Sequence, residues 1–366
     1  MSKARQLADL GNQIDDGAIT GTNMVINGGM TVAQRATSVT GFGGGSDAYT
    51  TVDRWKFDVN STMAGRMTIE QVDDSPNGIS GKSLKLSCTT ADTSIGSAER
   101  FQIQQLFEGQ NLQSIGKGTP DAKPITVSFY VKANASFTYG LELYDGDNGR
   151  QITKLFTTTT EWNRIELTFP ADTTGAFDND NNNSLYLLFA IHAGTNYTGG
   201  TLNSDAWAPA VNANRAAGID SFYSSTDNEL FITGVQLEVG DTATPFEHRS
   251  YGDELARCQR YYYRIDGGNN AFCRASTSAL FNNTTSIRAV FQHPVYMRAV
   301  PTLGYTAMST FDIEPFDEAP SNFASNTGTV RQSEINVTSP TARTEGFAAA
   351  LTIDDANGYI EWDAEL

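Results

Sequence analysis

FITGVQLEVGDTATPFEHRSYGDELARCQRYYYR, residues 231–264, changes character partway along its length. Its first part, Phe231 to Val239, alternates and is rich in β-branched residues, so one face suits a core while Gln236 and Glu238 look the other way. Gly240, Asp241 and Pro245 then stop the ladder. Asp253 stands as an N-cap before Glu254 to Tyr262, where Leu255, Cys258, Gln259 and Tyr262 recur at helical spacing. A late strand of a β-domain that yields to a helix in this way marks a boundary, and two domains are expected to meet here.

Upstream of this run, from Met24 to about Phe246, short strands alternate with turn signals. The clearest are Ile125 to Ala133, Tyr139 to Tyr144, Asn163 to Phe169 and Leu185 to His192, with Arg66 to Val72, Lys82 to Cys88 and Phe101 to Phe107 also legible. Polar stretches such as the Gly-rich SVTGFGGGSDAY (38–49) and DNDNNN (178–183) read as loops between them. Eight or more strands at this spacing, with no long helical pattern, predict a mostly β chain whose residues 24–247 form a jelly-roll β-sandwich. In ITVSFYVKA, Ile125, Val127, Phe129 and Val131 are assigned to the core, and Ser128, Tyr130 and Lys132 to the open face. A hinge helix over 248–265 then leads into a second, smaller β-sandwich over 266–366, with strands at Phe272 to Leu280, Ser286 to Phe291, Thr329 to Val337, Gly346 to Ile353 and Gly358 to Trp362. The first 23 residues form a separate segment. There Ser2 caps a short helix on which Leu7 and Leu10, continued by Ile14, share an apolar stripe that needs a partner: either the protein's own body or a larger assembly.

Composition narrows the partners. Lys and Arg number 25 against 42 Asp and Glu, a net charge of -17, and a surface of that sign repels the phosphates of nucleic acid and of anionic lipid. No nucleic-acid partner and no membrane insertion are therefore expected, and no run of eighteen apolar residues is present. Residues 1–20 lack the pattern of a secretory signal. Cys88, Cys258 and Cys273 are odd in number and far apart, which argues against a disulfide framework or a zinc site.

Little of the sequence carries catalytic chemistry. His192, His248 and His293 fall in different elements, and no nucleophile elbow, zinc helix or phosphate loop accompanies them. The turn from Asp145 to Gly149 imitates the start of a calcium loop, but its twelfth position is Phe156 where a bidentate Glu belongs, so it reads as a hairpin turn. Asp178 and Asp180 are candidate ligands of a structural calcium ion, against the simpler reading of a solvated loop; no other cofactor is expected. Aromatic residues beside amides and carboxylates suit a sugar, whose C–H faces lie on rings while its hydroxyls take hydrogen bonds. Alternation assigns Tyr130, Glu142, Tyr144, Gln102, Gln104 and His192 to open sheet faces, with Trp207 on a nearby loop, and this set is the candidate glycan site. The alternative is that they are ordinary half-exposed sheet residues.

NMVINGGMTVAQR (23–35), YTTVDRW (49–55), VSFYVKA (127–133) and the 231–264 run together resemble tail-fibre and appendage proteins of bacteriophages, especially marine and cyanobacterial ones. SKARQLADLGNQID (2–15) and the terminal PVYMRAVPTL (294–303) with its closing AEL are similar to theirs as well, so the resemblance spans nearly the whole chain. It implies a non-enzymatic virion protein made in the bacterial host cytoplasm, with an N-terminal segment that attaches to tail or adaptor proteins. It also implies a jelly roll like a carbohydrate-binding module, a distal β-domain, a homotrimer, and a contribution to recognising a glycan on the host surface. On this resemblance Trp55 is buried, Asp53 and Arg54 tie a strand end, and Tyr261 to Tyr263 pack the hinge helix or begin a strand. The chain lacks the extended repeats and coiled-coil shafts of long fibres, which leaves three forms open: a compact spike, a short fibre or a capsid or tail decoration that binds no receptor. A polysaccharide-degrading tailspike is the remaining alternative.

Overall fold

The computed structural model of the protein describes residues 23–60, 63–268 and 272–366. The expected N-terminal helix, with Leu7, Leu10 and Ile14, lies outside the described residues. The chain forms two compact units, Met1–Tyr251 and Gly252–Leu366.

The strands of the first unit are β1 (Ser38–Gly43), β2 (Asp47–Tyr49), β3 (Lys56–Asn60), β4 (Arg66–Val72), β5 (Ser83–Thr90), β6 (Arg100–Glu108), β7 (Ile125–Ala133), β8 (Thr138–Asp145), β9 (Arg150–Thr157), β10 (Asn163–Phe169), β11 (Asn183–Ala193), β12 (Ala208–Pro209) and β13 (Glu229–Val239). They build a six-stranded sheet, β1-β4-β5-β13-β7-β10, and a seven-stranded sheet, β12-β9-β8-β11-β6-β3-β2. All their pairings are antiparallel, and the chain crosses repeatedly from one sheet to the other, as a jelly roll does. One hydrophobic core lies between the layers. At its centre Phe129 of β7 meets Phe156 of β9 and Phe189 of β11 edge to face, with each pair of ring centroids 5.0 Å apart. Each such ring contributes about 2–3 kcal/mol through the area it removes from water. The alternation in β7 points Ile125, Val127, Phe129 and Val131 inward, as the sequence predicts.

The opening stretch decides this architecture because β13 is a central strand, flanked by β5 and β7. Its ladder with β7 slips between Thr233 and Gln236, and Gly234 sits in the slip with φ of 61°. A Cβ at Gly234 would stand 2.9 Å from the Tyr130 ring, so this bulge requires glycine on both counts. Val235 N–H then donates to Gly28 O, tying the bulge to the NGG turn at 3.0 Å. Gln236 and Glu238 face away from the core but are buried, because residues 240–247 fold back over them. Thr244 donates its backbone N–H and its hydroxyl to Glu238, and the Gln236 amide bonds Thr244 and the Glu247 N–H.

Trp55 is fully buried and donates to Asn27 O at 3.1 Å. Asp53 and Arg54 each tie a different segment: Asp53 accepts from Gln34 N–H at 2.9 Å, and Arg54 donates to Leu106 O at 2.7 Å. The Gly-rich stretch read as a loop instead supplies β1 and β2: Gly41 sits in the irregularity between Val39 and Phe42 of β1, Gly43 ends that strand, and Gly44 and Gly45 lie in the connection to β2.

The second unit contains most of the boundary helix α2 (Tyr251–Gln259), numbered after the single-turn α1 (Thr195–Thr198) of the first unit. Asp253 lies inside the first turn of α2, where a carboxylate still favours the helix dipole. The helix stops at Gln259, and Tyr262 opens a strand, because β-branched and aromatic residues follow and their ladder partner is available. The strands are β14 (Tyr262–Asp266), β15 (Cys273–Phe281), β16 (Ser286–Gln292), β17 (Thr302–Tyr305), β18 (Phe311–Glu314), β19 (Asn322–Gly328), β20 (Gln332–Thr338), β21 (Ala348–Ile353) and β22 (Tyr359–Asp363). They form a three-stranded sheet, β14-β22-β17, and a six-stranded sheet, β18-β21-β15-β16-β20-β19, around their own core. Trp362 is the centre of that core, stacked on Tyr263 with centroids 5.5 Å apart and planes 15° apart.

Candidate functional site

The face of the seven-stranded sheet that points away from the core carries a cluster of charged, amide and aromatic side chains. Its register sets out two cross-strand rows. Glu142, Leu188, Gln104 and Lys56 stand side by side across β8, β11, β6 and β3, and Gly140, Ala190, Gln102 and Asp58 form the next row. Tyr144 and Tyr186 are paired in the adjoining row, with rings 5.5 Å apart in a T-shape. Neighbouring strands put side chains of one row about 5 Å apart, close enough to act on one ligand.

The segment 193–220, which includes α1, crosses part of this face and buries Ala190 beneath Tyr197 and Ala216. It also delivers Arg215, whose Nε and guanidinium N–H donate to the two oxygens of Glu142 at 2.7 and 3.1 Å. Glu142 is fully buried, and burial raises its carboxyl above the usual carboxylate range, while Arg215 and Arg100 work against that rise. A buried carboxylate persists when it meets a two-pronged donor such as this. The same guanidinium lies 4.8 Å from the centroid of the Tyr144 ring, so one residue orients both the acid and the aromatic. Farther along, Asp58 Oδ2 accepts from Arg100 at 2.5 Å and from Gln104 at 2.7 Å. Arg100 in turn lies 5.3 Å from the Tyr197 ring. Lys56 pairs with Asp47 at 3.0 Å. Burial, and then the neighbouring Tyr144, raise the Tyr186 phenol above its ordinary range, so it remains a hydrogen-bond donor at neutral pH.

Four of the residues assigned from alternation, Gln102, Gln104, Glu142 and Tyr144, therefore share one face. Gln102, Gln104 and Glu142 form its buried floor, while Tyr144 is half-exposed. Tyr130 is half-exposed on the outer face of the other sheet, between Arg164 and Thr233. His192 leaves the face because β11 bulges between Ala190 and His192, which places it opposite the core residue Phe101. There it is buried, bonded to Ser221 Oγ at 2.8 Å and packed against Tyr223 at 5.2 Å. Trp207 is also buried: its indole N–H donates to Pro170 O at 2.9 Å, and its ring covers the ammonium of Lys117 at 5.5 Å.

Tyr186, Asp58, Lys56 and Arg215 are the residues of this face that were not singled out. Alternation along β11 places Tyr186 there, whereas Arg215 comes from an irregular segment with no periodic signal.

Among the described residues, no three His, Cys, Asp or Glu side chains gather as a metal site. The Asp180 carboxylate accepts from Asn182 N–H at 2.9 Å and from its side-chain amide at 2.6 Å, the pattern of an Asx turn. At the calcium-loop mimic, Asp145 is fully buried and receives Lys117 Nζ at 2.5 Å. The same ammonium donates to the carbonyls of Thr174 and Gly175 at 2.9 and 2.7 Å and stands 3.2 Å from Asp172. The cation in this cage is a lysine of the chain itself.

No protein-family model matches the sequence, and no curated protein matches it. Among solved structures, the chain is similar to TmCBM61 in complex with β-1,4-galactotriose at 11% identity and a TM-score of 0.31, covering 60% of this chain and 99% of that one. It is similar to a family 11 carbohydrate-binding module from Clostridium thermocellum in complex with a β-1,3-1,4-mixed-linked tetrasaccharide at 12% identity and a TM-score of 0.28, covering 57% and 98%. It is also similar to the enzymatically active domain of bacteriophage CBA120 tailspike protein 4, at 12% identity and a TM-score of 0.30, covering 60% of this chain and 21% of that one.

Proposed function

We propose that the protein is a bacteriophage tail-fibre or short appendage component that binds a host surface glycan on the outer face of its seven-stranded sheet. The observation that carries the binding reading is the Tyr144–Tyr186 pair set beside the Glu142–Arg215 and Asp58–Arg100 pairs. A sugar ring lying against the tyrosines would hold its hydroxyls beside the partly exposed Lys56, Asp58, Arg100 and Arg215 side chains, which are held in place above the buried floor of Glu142, Gln102 and Gln104. Sites prepared in this way lose little entropy on binding. The virion role rests on the sequence motifs at 23–35, 49–55, 127–133 and 231–264, and with it go attachment through the N-terminal segment and trimeric assembly.

An array of bacterial surface polysaccharides, probed with the full chain and with a Tyr144→Ala, Tyr186→Ala double variant, tests the binding. Retention by the native chain and loss by the variant are expected; no retention of any polysaccharide contradicts the reading. Gold-labelled antibody against the chain, applied to intact phage particles, tests the virion role, with label on the tail or capsid expected and unlabelled particles contrary to it.

A further inference from the structure

The second unit carries an open cleft of about 360 Å³, lined by Gln292, His293, Pro294, Tyr296, Arg331 and Gln332 among others. Two connections form it: the loop after β16, and the β19–β20 turn that carries Arg331. Thr329 Oγ1 accepts from the N–H groups of Arg331 and Gln332, each at 3.1 Å, which fixes the turn. The loop is tied to that turn by His293 N–H to Arg331 O at 2.9 Å and by Met297 N–H to Val330 O at 2.8 Å. Beneath, the imidazole of His293 bonds Val330 O at 3.3 Å and Ser333 Oγ at 3.1 Å, and it packs on Trp362 with centroids 5.8 Å apart. A carbonyl only accepts, so Nδ1 carries the proton and Nε2 accepts from the Ser333 hydroxyl. The cleft is therefore built before any ligand arrives.

Its mouth joins an aromatic ring to a cation. Tyr296 is 53% exposed, so its ring is open to a ligand at the mouth. The Arg331 guanidinium lies 4.5 Å from the ring centroid, held by cation–π attraction. Among the described residues no carboxylate pairs with Arg331, although the chain has an excess of 17 acidic over basic residues, 42 against 25. A guanidinium fork left free in so acidic a protein is matched to a carboxylate. Beside it, Gln292 Nε2 donates to Gln332 Oε1 at 2.9 Å, which leaves the other amide atoms to face solvent as one donor group and one acceptor. Those are partners for sugar hydroxyls.

The geometry points to a second binding site, in this cleft, for a saccharide that carries a carboxylate. Arg331 receives the carboxylate, Tyr296 receives the sugar ring, and the two glutamines receive hydroxyls. This site is separate from the face of the first unit, so either can fail without the other.

The test is calorimetric titration of the full chain with oligogalacturonate and with alginate oligomers, using neutral β-1,4-galactotriose as control. At least one acidic saccharide is expected to bind, less tightly as ionic strength rises. Arg331→Gln is expected to weaken it about tenfold or more and Tyr296→Ala by a similar factor, while Tyr130→Ala, on the other sheet of the first unit, leaves it unchanged. Acetate in the cell is expected not to displace the saccharide; displacement would show that a bare carboxylate suffices and would overturn the role of the sugar ring. Absence of binding to both acidic saccharides, or equal affinity of the native chain and Arg331→Gln, would overturn the site.

Discussion

Both units close a hydrophobic core between antiparallel sheets, but they place their charged groups differently. The first places ions where water does not reach. Lys117 and Asp145 are buried together, Asp172 joins them through Arg150 and Lys117, and Glu142 meets Arg215 under the 193–220 segment. The second unit is held by rings: Trp362 stacks on Tyr263 and touches Phe291 and His293, and Phe311 meets Phe323 at 4.9 Å. Its ion pairs Arg264–Asp266, Arg288–Glu334 and Arg343–Glu318 each keep a side chain in contact with solvent. The contrast has a functional side. Buried charges in the first unit hold polar groups in fixed positions beneath a sheet face, whereas the second unit uses a packed ring core as a floor and sets the Arg331 guanidinium, stacked on Tyr296, at the mouth of a cleft.

The comparison breaks most visibly at Lys117. Lys117→Ala removes the cation shared by two carboxylates and is expected to cost about 5 kcal/mol, the upper range for breaking a buried pair. Hydrogen exchange read by peptide should quicken across 23–251 and stay unchanged across 252–366; equal change in both would dissolve the distinction.

Trp362→Ala is the converse, a cavity in a ring core worth about 4 kcal/mol, and should speed exchange across the second unit alone. A smaller effect comes from pH and acts on both units. Burial holds His192 below the usual histidine range despite Glu99 and Asp92, and it holds His293 low despite the bond to Val330 O. Both are neutral in the fold, while the unfolded chain takes up protons below about pH 6.5. Stability is thus complete above that pH and declines as pH falls below it. Urea midpoints measured between pH 8 and 5.5 should show the decline, and His293→Gln should flatten it only for the second unit.

How much of this is legible in the sequence differs by element. The strands β4, β7 and β10 stand out because alternation, β-branched content and bounding turns agree, and their ends coincide with the expected ones. β1 to β3 and β17 to β19 are short or interrupted by Gly, Asp and Asn, so nothing in them outweighs a loop reading. Within the site, Gln102, Gln104, Glu142 and Tyr144 follow from a period of two on neighbouring strands. His192 does not, because a single extra residue in β11 reverses its direction. Trp207 and Arg215 are placed by an irregular segment whose course depends on long-range contacts, to Lys117 in one case and Glu142 in the other.

Which sheet face meets the glycan is decided most directly by paired titrations of the same array-selected polysaccharide against Tyr186→Ala and Tyr130→Ala. These tyrosines lie on opposite sheets of one sandwich and are both half-exposed. A loss of about tenfold or more for Tyr186→Ala with affinity retained in Tyr130→Ala is the predicted result. Retention by Tyr186→Ala and loss by Tyr130→Ala would contradict the assignment of the binding face.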